Sequence, residues 1–114
     1  MKHINQRNIK ITSELMSFCY KYQCQKININ VETIENETFI NLTAEVFDMN
    51  TSTLELVKKL LNTPRCHEME EYYWSLTGDD DTDSELTLVG IMIDEAEIVY
   101  TDNKLLQINL KRKL

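Results

Sequence analysis

The residue types able to do chemistry fall into three groups. Asp79, Asp80, Asp81, Asp83 and Glu85 offer oxygen ligands for a hard cation. Cys19, Cys24, Cys66 and His67 offer soft ligands or a nucleophile, and Tyr72, Tyr73 and Trp74 offer a stacking surface. Spacing decides what each group can do. An EF-hand calcium loop needs glycine at its sixth position and a bidentate glutamate at its twelfth. Counted from Asp79, those positions hold Ser84 and Gly90, so the run reads as a solvated acidic loop. Zinc sites use close cysteine pairs in duplicate. Here one C-x4-C pair stands apart from the adjacent Cys66 and His67, and Cys19 falls on an apolar stripe where a free thiol behaves as a core residue. A thiol nucleophile needs a base and a third group to orient it, and nothing around His3 or His67 marks such a triad. The aromatic run reads as a half-buried helix segment whose exposed part could form an interaction patch. No Walker A or dinucleotide-binding glycine pattern occurs. The residues by themselves therefore name no metal site and no catalytic residue.

Composition narrows the classes. A chain of 114 residues fits a single domain, 1–114, large enough to bury a core without staples. The net charge of −7 disfavours nucleic acid, whose affinity comes mostly from neutralised phosphates. It suits a protein partner with a basic surface, and it leaves homo-oligomerisation open. Three cysteines without an apolar leader suggest a cytoplasmic protein with reduced thiols, and no apolar run is long enough for a membrane span.

The elements that must position these residues follow from periodicity. Residues 1–8 are polar and read as loose. Ile11, Leu15, Phe18, Cys19 and Tyr22 share one helical face, which predicts a helix over residues 9–23. Ile27, Ile29 and Val31, then Ile40, Leu42, Ala44 and Val46, alternate as two strands of a hairpin joined at Glu35 to Glu37. Ser52 and Glu55 form a capping box for a helix that stops before Pro64. A further helix carries Cys66, Met69, Tyr73 and Leu76 and closes at Gly78. Another is expected over residues 84–96, with Leu86, Val89, Ile93 and Ala96 as its stripe. Its Gly90 suggests a close approach to a sheet. A final hairpin turns at Asp102-Asn103. The order α-β-β-α-α-α-β-β predicts an α+β two-layer sandwich: a four-stranded, mostly antiparallel sheet covered by helices.

That order, with several local strings, resembles the histidine-kinase-like (GHKL) ATPase domain, the family of sensor-kinase catalytic domains and small anti-sigma-factor kinases. The string E-L-M-S-F-C-Y-K-Y from Glu14 resembles the family's E-x-x-x-N helix. The string D-M-N-T-S from Asp48 stands where the D-x-G-x-G turn would end a strand. The segment from Ser84 to Leu110 looks like the closing helix and hairpin. The resemblance implies the family's fold. It also implies ATP with magnesium as cofactors, Asp48 reading adenine and Glu14 acting as base. The departures lie in the cradle itself. The magnesium-binding asparagine falls on Phe18, the two turn glycines fall on Asn50 and Ser52, and the second glycine box reads Asp83-Ser84-Glu85-Leu86. Those glycines let backbone amides approach phosphates, whereas aspartates repel a triphosphate. The expectation is therefore a non-catalytic regulatory domain that keeps the fold without cofactor or metal, meeting its partner through residues 68–85. The alternative is a divergent ATP-binding serine kinase of the anti-sigma type.

Overall fold

The architecture comes from a computed structural model that describes residues 4–66, residue 68 and residues 84–113. Helix α1 (Ile4–Lys21) leads into β1 (Ile27–Ile34) and β2 (Glu37–Glu45), followed by α2 (Thr51–Leu61). Helix α3 (Ser84–Met92) then precedes β3 (Glu95–Thr101) and β4 (Leu105–Lys113). Cys66, expected on the next helix, lies in irregular chain after α2; Met69, Tyr73 and Leu76 of that expected helix, and the acidic run from Asp79 to Asp83, lie outside the described residues.

The two hairpins share one sheet. Its strand order is β1-β2-β4-β3, with every pair antiparallel. The join is β2 against β4, where Ile40 faces Leu110, Leu42 faces Ile108 and Ala44 faces Leu106. The period of two sends these residues to one face, and all six are buried. The helices cover that face, with α3 packed between α1 and α2. Full burial of each Leu or Ile on this face stabilises the fold by about 1.5–3 kcal/mol. The final hairpin turns where expected but over three residues instead of two: Thr101 pairs with Leu105 across Asp102, Asn103 and Lys104. The Lys104 amide donates to Thr101 O at 3.1 Å, and Asp102 (φ 57°) and Asn103 (φ 52°) both take the left-handed backbone.

Four local expectations need correction. Helix α1 begins at Ile4 rather than near Ile9, so the lead-in is not loose from that point. Arg7 and Asn8 are buried, and their polar types hide the continuation of the core stripe. Helix α2 is capped by Asn50, whose Oδ1 accepts the Ser52 amide at 2.7 Å, so Ser52 lies in the first turn and is not the cap. Helix α3 ends at Met92 instead of running to Ala96, which pairs with Leu110 inside β3. Asp94 leaves the helix because its amide donates to Lys111 O at 2.8 Å and its carboxylate takes the Lys113 amide at 2.6 Å. Finally, Gly90 approaches a helix and not the sheet. A β-carbon there would lie 2.1 Å from the Leu60 carbonyl oxygen of α2.

Among the described residues one charged side chain, that of Arg112, has no exposed surface at all. Arg112 is on the covered face of β4, opposite Thr38. Its Nη1 donates to Met92 O at 2.6 Å. That places a cation on the negative end of the α3 dipole, which offsets part of its desolvation.

Candidate functional site

The connection between β2 and α2 carries Asp48, the residue matched to nucleotide recognition. It is stapled to the last hairpin along its length. The Val46 amide donates to Lys104 O at 2.8 Å and the Asp48 amide to Asn103 O at 2.9 Å. The Tyr100 hydroxyl accepts the Met49 amide at 2.9 Å and donates to Val46 O. Asp48 takes a left-handed φ of 54° and its side chain is exposed. Asn50, at the first of the matched glycine positions, has φ −62° and ψ 139°, ordinary extended backbone. Ser52, at the second, is already helical. Neither position requires glycine here.

The other matched residues lie elsewhere on the fold. Glu14 sits on α1, with Oε1 2.9 Å from Lys10 Nζ one turn earlier. Phe18 is buried, its ring centroid 5.0 Å from that of Tyr22. It lines an apolar groove with Leu56, Val57, Leu60 and Leu86, between α1, α2 and α3. Leu86 is likewise a core residue.

The cysteines are structural in their surroundings. Cys19 and Cys24 are buried and their thiols hydrogen-bond to each other. Burial, reinforced by Cys24, pushes the Cys19 thiol up to about 12, and burial also raises Cys24. A thiol so raised stays neutral near pH 7 and is a poor nucleophile. Cys66 is half-buried, with its amide donating to Ile91 O at 3.1 Å. His67 lies outside the described residues, as do Tyr72, Tyr73 and Trp74. Among the described residues no group of three His, Cys, Asp or Glu side chains could hold a metal ion, and no helix is long and apolar enough to cross a membrane.

Two features were missed in the sequence. The first is a polar knot at the end of β4. Arg65 Nη1 donates to Asp94 Oδ2 at 2.8 Å and to Lys113 O at 2.7 Å, and the Lys113 amide donates to the same carboxylate oxygen. Burial alone would raise the Asp94 carboxyl, but the Lys113 amide and the Arg65 guanidinium outweigh it and hold it below its ordinary value. The second is the sheet face turned away from the helices. Asn30, Asn41, Asn109 and Glu97 stand opposite one another across all four strands. Asn41 Nδ2 donates to Asn109 Oδ1 at 2.8 Å, and Asn109 Nδ2 to Glu97 Oε1 at 3.3 Å. A shallow depression of about 330 Å³ lies over Asn41, Asn109 and Glu97 of this row, bordered by Phe39 and Lys111. Each asparagine is visible in the sequence as the polar partner of an alternating strand. Their alignment depends on the register between strands far apart in the chain.

Comparison of this chain with known protein families, with curated proteins and with solved structures finds no match.

Proposed function

We infer that this chain is a non-catalytic regulatory domain that acts by binding another protein. In this reading it has a histidine-kinase-like ATPase fold whose nucleotide-binding motifs have been lost. The order of a helix and a hairpin, then helices and a closing hairpin, on one sheet is in keeping with that fold. The observation that carries the proposal is the backbone of residues 48–52. Its amides at Asp48, Met49 and Ser52 are engaged by Asn103, Tyr100 and Asn50. A phosphate cradle needs such amides free and pointing at the ligand. The positions that would be glycine serve instead as the cap and first turn of α2.

The partner would present a basic surface to this acidic chain, whose net charge is −7. The acidic residues expected to meet it, 68–85, lie mostly outside the described residues. Calorimetry with Mg-ATP tests the proposal. No saturable heat is expected from the wild-type chain. Micromolar binding that Asp48→Asn abolishes would overturn it in favour of an ATP-binding anti-sigma-type kinase, with Asp48 on adenine and Glu14 as base.

A further inference from the structure

Strand β1 is an edge of the sheet, and among the described residues no strand pairs with its outer side. Natural edges are blunted by proline, lysine, bulges or shortness. The one device of this kind here is the single charge of Glu32. The eight residues of β1 contain no proline or lysine, and they pair with β2 in unbroken register from Ile27 opposite Ala44 to Ile34 opposite Glu37. Its apolar residues are uncovered towards the far end, where Val31 is 43% and Ile34 is 51% exposed.

The face of α1 turned away from α2 and α3 also carries exposed apolar residues. Helix α1 packs on β1 and α3. Successive helical residues turn by about 100°. Phe18 faces the groove with α2 and α3, and the Cys19 thiol hydrogen-bonds to that of Cys24 just before β1. Tyr20, two residues on from Phe18, turns away from that groove, with Met16 and Ile9 on the same stripe. All three are exposed: Tyr20 60%, Met16 38% and Ile9 65%.

We propose that two copies of this chain pair β1 against β1 antiparallel about a two-fold axis, with the two α1 flanks packed over the join. Charge selects a second copy over a basic partner. Strand β1 holds one carboxylate, Glu32, and the α1 stripe holds none, in a chain of net charge −7. The opposite edge, β3, holds Glu95 and Glu97. A register that sets Asn30 against its own copy keeps every side chain on its proper face. It places Glu32 opposite Asn28, so that the two glutamates never meet. It also sets Ile29 opposite Val31 on the covered face. The row Glu97, Asn109, Asn41, Asn30 then continues through the axis into the second copy, where side-chain amides can extend the ladder. The closed two-fold contact removes the free edge. It does not depend on whether the chain binds nucleotide.

Sedimentation equilibrium of the full chain tests this. The wild type is expected at twice 13.4 kDa, with dissociation on dilution. Val31→Lys and, separately, Met16→Lys replace exposed side chains and are expected to give monomers that retain the wild-type far-ultraviolet spectrum. Val99→Lys, on the opposite edge strand and 38% exposed, is expected to leave the dimer unchanged. A wild type that stays monomeric up to its solubility limit overturns the proposal. So does a dimer that survives both Val31→Lys and Met16→Lys, or one that Val99→Lys dissociates as readily.

Discussion

Gly90 of α3 lies against the Leu60 carbonyl of α2 so closely that a β-carbon on it would come within 2.1 Å of that oxygen. A backbone oxygen cannot swing aside as a flexible side chain can. Alanine at position 90 gains about 1 kcal/mol of helix propensity. It must also push α3 off α2 in a core where overpacking costs about 1–3 kcal/mol and backbone contacts sit at the high end. Gly90→Ala is therefore expected to lower the urea midpoint with an unchanged slope, a net loss of about 2 kcal/mol. A variant as stable as the wild type would mean that the two helices do not cross here.

The Tyr100 hydroxyl closes the β2–α2 connection by serving Met49 and Val46 at once. Tyr100→Phe leaves the ring and removes both bonds, at an expected cost of about 1–3 kcal/mol for partly buried backbone groups left unsatisfied. Hydrogen exchange should show the Met49 amide losing protection while amides in β1 keep theirs. Asp48→Asn, at an exposed position where asparagine also tolerates positive φ, is expected to stay within about 0.5 kcal/mol of the wild type.

Asp94 gives an acid-side prediction. Its carboxyl is held below its ordinary value of 3.8 in the folded chain. The unfolded chain therefore takes up this proton first as pH falls. The stabilisation is complete above the unfolded value and is lost as pH drops through the folded one. Asp94→Asn should destabilise the protein near neutrality by about 1–3 kcal/mol. It should also flatten the stability profile below about pH 4, because that titration is gone. Denaturant melts of both proteins from neutral to acid pH check this. Parallel profiles would contradict it.

The strands were legible because alternation survives any context: Ile40, Leu42, Ala44 and Val46 can be nothing but one face. The turn at Asp102-Asn103 was legible because both residues tolerate positive φ. What failed was wherever long-range contacts set the answer. Arg7 and Arg112 are core residues despite their charge, and the Met92 carbonyl against which Arg112 is buried is not revealed by the sequence. Ile93 and Ala96 kept the helical period beyond Met92, yet Asp94 breaks there because of partners at Arg65 and Lys113, far along the chain. Asp48 and Glu14 stand out by string resemblance, and the fold gives each a partner: the distant Asn103 carbonyl for the Asp48 amide and the Lys10 ammonium, one turn away, for the Glu14 carboxylate.

Cys19 gives the alkaline counterpart. Its thiol is pushed from 9.0 to about 12 by burial first and Cys24 second. The folded chain therefore holds a proton that the unfolded chain releases above its lower value. This contribution is intact below about pH 9 and falls as pH rises towards 12, at up to about 1.4 kcal/mol per pH unit. Cys19→Ala should be less stable at neutral pH through its lost packing, and less steeply destabilised above pH 9. In the native wild type, Cys66 is expected to react with a disulfide reagent well before Cys19 or Cys24. Equal rates for Cys19 and Cys66 would contradict the burial.

The central claim is that the loop from Asp48 to Ser52 is closed to phosphate because its Asp48, Met49 and Ser52 amides are already engaged. Amide proton–nitrogen spectra during a Mg-ATP titration test it most directly. The expected result is that the Asp48, Met49 and Ser52 signals do not move. Saturable shifts at those three amides, absent in Asp48→Asn, would contradict the account.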